Sequence, residues 1–511
     1  MKTRGIGTCV VLVTSALLMA GSLGCGSGSS HPGTAQTALA ATKHPLVAQY
    51  SVTEYGAANV WVEFGTDTTY GKQTDSVPTT PGTNTVPILV AGMKASTTYH
   101  LRAHVDYANG SSWVDQDHTF KTGALPGGNQ LTFDVTRPTS NVQPVGVDLV
   151  DVTSAGTSNL GTSVVDLDGN IIWYYDLGSS AWAFPFKFLS NGHVLVNSSI
   201  GGPDGGSNVL MEIDLAGNII RSLSLSQLNQ ELQSAGFSLA LSGLHHDVLV
   251  LPNGHWVVIG NYTKNFTDLP GYHGTTAVLG DALVDLDTNF NPVWVWSTFD
   301  HLDINYHPLA FPDWTHSNAL LYTENDGNLL LSTRDQNWVI KIDYENGTGS
   351  GDVLWRLGLN GDFTLSSSDP AQWFYGQHFP YIVGINGSQL TLAIFDDGDL
   401  RLNESGEQCG TTPLCYSRAI IVNADESTKT ADVQWQYSPG YYTYWGGSIE
   451  TLENGDVEFD GSQPFGSTVG SRVMEVTQTD TPQVVWQMDI LGGYAYRAYR
   501  MPSLYPGVTW Q

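Results

Sequence analysis

Residues 245–255 read HHDVLVLPNGH: a histidine pair, an apolar run and an Asn253-Gly254 turn. The same order recurs in DWTHSNALLYTENDG, with His316 and Asp326-Gly327, and in QHFPYIVGING, with His378 and Asn386-Gly387. Asn-Gly and Asp-Gly favour tight hairpins because their residues tolerate φ > 0. Each copy therefore reads as a strand that a histidine opens and a turn ends. Further copies of the turn stand at Asn191-Gly192 and Asn454-Gly455, with Pro506-Gly507 as a poorer sixth.

A second marker alternates with the first. A tight turn leads into a short β-branched run ending in Trp at Trp173, Trp294, Trp355, Trp435 and Trp486, with Arg221 in the equivalent slot. Both markers count six units. Their spacing exceeds the roughly 40–45 residues of a compact propeller repeat, so long connecting loops are expected, and loops are where sites are built. The fold class expected is all-β: a six-bladed β-propeller over residues 141–511. Its first segment, Val145–Val152, and its last, from Arg497 to Val508, lack other partners and should share one blade. Two stacked sandwiches would not keep two alternating markers in register.

Residues 46–122 alternate apolar and polar positions as half-buried sandwich strands do. Leu89, Met93, Thr98, Tyr99, Leu101 and Arg102 resemble the fibronectin type III pattern, so a β-sandwich precedes the propeller. Residues 26–45 and 123–140 are expected to be linkers. At the N-terminus, Lys2 and Arg4 precede an apolar run from Val10 to Ala20, which suits a signal peptide over residues 1–25. SLGC, ending at Cys25, resembles a bacterial lipoprotein box, although Ser22 stands where Leu is usual. Lipid attachment to a membrane through Cys25 and plain secretion both remain open. Either way the protein is expected to be exported, to the periplasm or the cell surface. Cys409 and Cys415, close together in an exported chain, suggest a disulfide.

With 49 acidic against 20 basic residues the net charge is −29. Nucleic-acid binding is excluded on that balance. An anionic substrate would need local cations, and Arg334 is one of few basic residues in a strand-like apolar run. If equivalent strand starts converge, His245 or His246, His316, His378, Asn318 and Arg334 meet in one pocket. The sequence does not say which of the paired histidines faces inward. His316 and Asn318, two apart on an expected strand, should point to the same side. Three histidines could ligate a metal. A guanidinium beside imidazoles and an amide suits a multi-oxygen anion better, with one ring nitrogen left to attack its central atom. That is the chemistry of sulfuryl or phosphoryl transfer through a covalent histidine. Trp314, Trp373, Phe374, Tyr375, Tyr442, Tyr444 and Trp445 could wall such a pocket.

The segments HHDVLVLPNGH, WTHSNALLYTENDGNLLLSTRDQ, QHFPYIVGINGSQLTLAIFDDG and SRAIIVNADESTKTADVQWQY resemble the bacterial arylsulfate sulfotransferases. The resemblance implies an exported propeller enzyme that moves a sulfuryl group from an aryl sulfate donor to a phenolic acceptor by a ping-pong route, without a cofactor. It implies that His378 becomes sulfated. His316, Asn318 and Arg334 would hold the sulfuryl oxygens, and His245 or His246 would complete the cradle or move the phenolic proton. Asp397 departs from the family's more usual Asn, and the Cys409–Cys415 pair follows the nucleophile instead of preceding it. A homodimer is compatible with this reading. A metal-dependent propeller hydrolase or oxidoreductase, and a non-enzymatic surface propeller that binds carbohydrate or protein, are the alternatives. In the latter, Asp396, Asp397 and Asp399 could form a calcium loop.

Overall fold

The structure, a computed structural model, describes residues 35–54, 56–82, 85–127, 131–138, 145–153, 160–175, 183–198, 208–367, 369–402, 408–409 and 415–510. The expected signal peptide and Cys25 lie outside them. The described chain is all-β and almost wholly antiparallel, with two α-helices among the described residues, Leu225–Ser234 and Thr298–His301.

Six sheets follow one another after the N-terminal region. The second runs Ala183–Phe188, Val194–Ser198, Val209–Ile213 and Ile219–Ser224 in simple up-and-down order. The third is built from Gly243–Val250, Trp256–Thr267, Thr275–Leu286 and Pro292–Ser297, the fourth from Ser317–Thr323, Asn328–Thr333, Trp338–Ile342 and Val353–Gly358. The fifth leads with His378–Asn386 and the sixth with Ser448–Thr451. In all five the first hairpin is the Asn-Gly or Asp-Gly turn, and Gly192, Gly254, Gly327, Gly387 and Gly455 all have positive φ. The first sheet differs: Val147–Thr153 pairs antiparallel with the late strand Tyr494–Met501, Leu149 opposite Tyr499. The two ends of this region thus share a sheet, as the sequence led one to expect.

The leading strands pack in succession. Ala183–Phe188 lies on Gly243–Val250, that strand on Ser317–Thr323, and that on His378–Asn386; Ser448–Thr451 and Tyr494–Met501 follow, and Val147–Thr153 returns to Ala183–Phe188. Middle strands are covered on both faces, which is why Val194–Ser198, Val209–Ile213 and Trp338–Ile342 are buried throughout and read as continuous apolar runs. Tryptophans bolt neighbouring sheets together. Trp173 Nε1 donates to the Leu215 carbonyl at 2.8 Å, Trp435 Nε1 to Thr479 at 3.2 Å, and Trp486 Nε1 reaches back to Leu167 at 3.0 Å. In the third sheet Trp296, not Trp294, does this, donating to Gly351 at 2.8 Å.

Three expectations need correction. Residues 26–45 are not all linker, because Gln36–Ala41 pairs with Ala48–Thr53 in an N-terminal sheet. Nor are residues 123–140, because Thr132–Thr136 adds a fifth strand to the sixth sheet beside Val484–Leu491. The final strand ends at Met501, and the chain beyond it leaves the sheet. Trp510 Nε1 donates to Gln73 O at 2.9 Å, and Tyr505 donates to Leu89 O at 2.8 Å while accepting from Ala91 N at 2.7 Å. Pro506-Gly507 is therefore part of a tail that clasps the N-terminal sheets, whose buried residues share one apolar core with the first two sheets of the six.

Candidate active site

The histidine-bearing segments meet at one end of the leading strands. The backbone turns sharply there, since His246, His316 and Phe379 have φ of +57°, +44° and +38°. Left-handed conformations in bulky residues are uncommon and gather at functional sites. They break the regular alternation. His316 precedes strand Ser317–Thr323, whose register shifts between Ser317 and Ala319, so the rule that placed His316 and Asn318 on one side does not apply.

His246 occupies the middle. Its ring centre is 4.9 Å from that of His245, 4.8 Å from His316 and 5.6 Å from Tyr496, and Tyr496 is 5.8 Å from His378. His245 turns aside: its Nδ1 lies 2.6 Å from Nδ1 of His246 and its Nε2 lies 3.2 Å from Asp281 Oδ1. His246 is thus the member of the pair that faces the cluster.

His378 is buried, with Nδ1 2.6 Å from Asp397 Oδ2 and Nε2 accepting the Gly446 amide at 3.2 Å. An amide only donates, so Nε2 carries the lone pair and Nδ1 the hydrogen that Asp397 accepts. Burial, followed by the charges of Arg334, His316 and Arg497, holds the His378 pKa well below the usual imidazole value. Burial and the charges of His316 and His245 do the same for His246. His316 behaves oppositely. Burial disfavours its charge, but a 2.6 Å bond to Asp313 Oδ2, with the charges of Asp335 and Asp313, outweighs burial and raises its pKa. The cluster therefore holds two neutral imidazoles beside one readily charged imidazole. Burial also drives the Asp397 carboxyl well up, with Asp399 adding to it.

Arg334 is not inside a strand; it opens a 3-10 turn, Arg334–Gln336, between two strands. Its guanidinium is oriented by Asp335 at 2.6 Å, by Asp399 and by the Tyr444 carbonyl at 2.9 Å. Burial raises Asp399 to about 6 even though Arg334 opposes the shift. Asn318 is buried and donates Nδ2 to the Gln377 carbonyl at 2.8 Å, bracing the chain just before His378. Trp314 and Tyr375 do not wall the cluster. Trp314 is buried, stacks on Phe299 at 5.3 Å and donates to Tyr306 O, while Tyr375 joins Trp373 and Phe374 in the core of the fifth sheet. Trp445 stays near, 6.4 Å from Tyr496 and nearly parallel to it. Cys409 and Cys415 form a disulfide, Cα atoms 5.3 Å apart, packed against Tyr442.

Among the described residues, the grouping whose ligand atoms come close enough for a metal is Asp313, His316 and Asp335, all within 4.8 Å. It is not the three histidines. Arg334 already balances Asp335, and His316 bonds Asp313, so these groups form an ion-pair set in which a metal would have to displace a guanidinium. Asp396 pairs with Arg401 and with Arg418, at 2.7 Å from the latter, and Asp399 with Arg334. Arginines engage Asp396 and Asp399 and His378 engages Asp397, so the acidic run is committed within the protein instead of opening as a calcium loop.

Asp281, Asp313, Gly446, Tyr496 and Arg497 went unnoticed in the sequence. The Gly446-Gly447 pair was the one available signal, since both have positive φ and a Cβ on Gly447 would fall 2.4 Å from Phe395. Tyr496 and Arg497 sit in YAYRAYRM, which reads as an ordinary strand.

The family model described as Arylsulfotransferase (ASST) matches residues 135–500. Among curated proteins none matches. Solved structures give loose likenesses. A protein of unknown function from Bacteroides caccae is 12% identical at TM-score 0.41, covering 70% of this chain and 98% of that one. A candidate 6-phosphogluconolactonase from Bacteroides uniformis is 10% identical at TM-score 0.36, covering 70% of this chain and 100% of that one.

Proposed function

This chain belongs to the arylsulfotransferase family, and we propose that it moves a sulfuryl group from an aryl sulfate to a phenol through a sulfated His378. Nε2 of His378 attacks sulfur, an N–S bond forms and the S–O bond to the aryl group breaks. The departing phenolate takes a proton from His316. An acceptor phenol then returns a proton to His316 and attacks sulfur, the N–S bond breaks and the product sulfate ester leaves. Such transfers depend on positioning and charge neutralisation more than on covalent assistance. Arg334, oriented by Asp335 and Asp399, supplies a fixed fork for the sulfuryl oxygens.

The observation that carries this reading is the tautomer of His378. Its Nδ1 is committed to Asp397, which leaves the lone pair on Nε2, where the Gly446 amide meets it in the resting site. The test is to incubate the protein with an aryl sulfate without acceptor and look by mass spectrometry for a sulfated peptide containing His378. Release of free sulfate without that adduct would sink the covalent route.

The scaffold is read as a six-bladed propeller carrying a fibronectin type III-like sandwich. The six sheets and the cyclic packing of their leading strands support the propeller. Export through the N-terminal segment, with or without a lipid on Cys25, is part of the same reading, and the Cys409–Cys415 disulfide favours an oxidising compartment.

A further inference from the structure

One guanidinium touches the chain beside each of three active-site histidines. Arg497 lies on Tyr494–Met501, fully buried. Its Nη2 donates to the Asn318 carbonyl, two residues past His316. Its Nη1 stands 3.5 Å from Asp247 Oδ1, next to His246. Its central carbon is 4.5 Å from the ring centre of Phe379, next to His378. Strands from the third, fourth and fifth sheets therefore converge on a side chain from the first. Asn318 extends the contact by donating to Gln377 O, immediately before His378.

The charge of this side chain is only partly cancelled. Asp247 also receives Lys187 Nζ at 2.6 Å and the Leu320 amide at 2.9 Å, so one carboxylate serves two cations. Tyr499 gives a neutral contact to Nη1 at 3.1 Å, and the Tyr496 ring centre is 5.2 Å from the guanidinium carbon. Asp151 and Asp460, both buried, also feel the Arg497 charge.

We infer that Arg497 is a positioning residue for sulfuryl transfer, a charged hub that holds three histidine-bearing strands in the register their side chains need. The inference rests on the sulfuryl-transfer reading above. A guanidinium suits the role because it spreads several directed donors over a rigid plane, which an ammonium cannot do. Its charge has a second effect. Together with Arg334 and His316 it disfavours a proton on His378, whose other titratable neighbour, Asp397, has its own charge disfavoured by burial.

The test compares full-length wild-type protein with Arg497→Met and Arg497→Lys, measuring kcat, the KM for an aryl sulfate and the pH profile with a phenol acceptor. Arg497→Met should lower kcat by about tenfold or more, the size of effect that loosened geometry produces, with KM little changed. Its acid limb should move to higher pH, because His378 gains a proton more easily once a cation is gone. Arg497→Lys should keep the wild-type acid limb and still lose kcat. Lys187 remains to balance Asp247, so Arg497→Met should fold. If it does not, the lysine variant decides: wild-type kcat there overturns the inference, and lowered kcat with an unmoved acid limb supports it. A folded methionine variant with wild-type kcat and profile also overturns it. Wild-type protein that transfers no sulfuryl group would instead overturn the underlying function.

Discussion

The amide of Gly446 lies 3.2 Å from Nε2 of His378, and its carrier has no room for a side chain. A Cβ there would fall 2.4 Å from Ser462 Oγ, at a φ of +69°. On the proposed route, the same N–H that marks the lone pair in the resting site would stand beside the sulfuryl oxygens once Nε2 has attacked. Gly446→Ala keeps the amide but cannot keep its place, so kcat should fall by up to roughly 10²- to 10³-fold, the size of effect of a lost oxyanion donor, with a smaller effect on KM. Steady-state kinetics with an aryl sulfate check this, and a circular dichroism spectrum confirms the fold. An alanine variant with wild-type kcat would remove the amide from the mechanism.

Asp397 should matter through the tautomer it selects. It is buried and accepts the Nδ1 hydrogen of His378 at 2.6 Å. Asp397→Ala frees the ring to rotate and to carry its hydrogen on Nε2, so kcat should fall by about 10²- to 10⁴-fold, the scale on which a correctly placed proton contributes to a transfer step. Asp397→Asn keeps an acceptor oxygen and should retain most activity. Rapid-quench measurement of the His378 adduct separates this from a product-release effect, and equal adduct formation in the alanine variant and wild type would count against the role.

The pH profile should be bell-shaped with unusually wide shoulders. On the proposed route His378 reacts only when neutral, and burial with the nearby cations lowers its pKa well below 6.5. Activity should therefore persist as pH falls past 6.5 before declining. On that route His316 serves the leaving group only when protonated; burial opposes its charge, but Asp313 and Asp335 outweigh burial and raise its pKa above 6.5. Activity should decline as pH rises through that raised value. Asp313→Asn weakens the support and should draw the alkaline limb to lower pH, most visibly with donors whose phenol is a poor leaving group. An alkaline limb that does not move in this variant would assign the proton to another group.

How much of this the sequence disclosed follows from the range over which each signal acts. The hairpins were legible because Asn253-Gly254 and its counterparts encode their turns within a few residues. The sharing of a sheet by Val147–Thr153 and Tyr494–Met501 was legible because neither had another partner. Alternation failed at Ser317–Ala319, where a register shift intervenes, and at Arg334, which a turn carries. Trp314 and Tyr375 look like pocket walls in the sequence, yet a large aromatic beside a strand start packs equally well into a sheet core. Arg497 was hidden because its partners Asp247, Asn318 and Phe379 lie on three other strands.

The seam between the first and sixth sheets should be the pH-sensitive point of the scaffold. Arg500 bonds Asp148 at 2.7 Å and Glu475 at 3.0 Å, pairs with Glu458, and donates its backbone amide to Glu450 at 2.6 Å. One cation thus serves a buried acidic group drawn from both sheets. Burial raises the pKa of Asp148 and of Glu458, and lifts Glu450 from 4.5 to about 7. A raised carboxyl binds its proton more tightly in the folded state. The stability it contributes is complete below the unfolded value and is lost as pH rises through the folded one, for Glu450 between 4.5 and about 7. Arg500→Met removes the guanidinium that makes ionisation tolerable there. Breaking a buried pair in this way costs about 3–5 kcal/mol. The cost should grow with pH, because Glu450, lifted from 4.5 to about 7, gives up its proton between about pH 5 and about pH 8. Calorimetric melting of wild type and variant at both pH values checks this: the gap in Tm should widen at the higher pH. A gap that is equal or narrower there would show that the seam carboxyls are already ionised in the folded protein at acid pH.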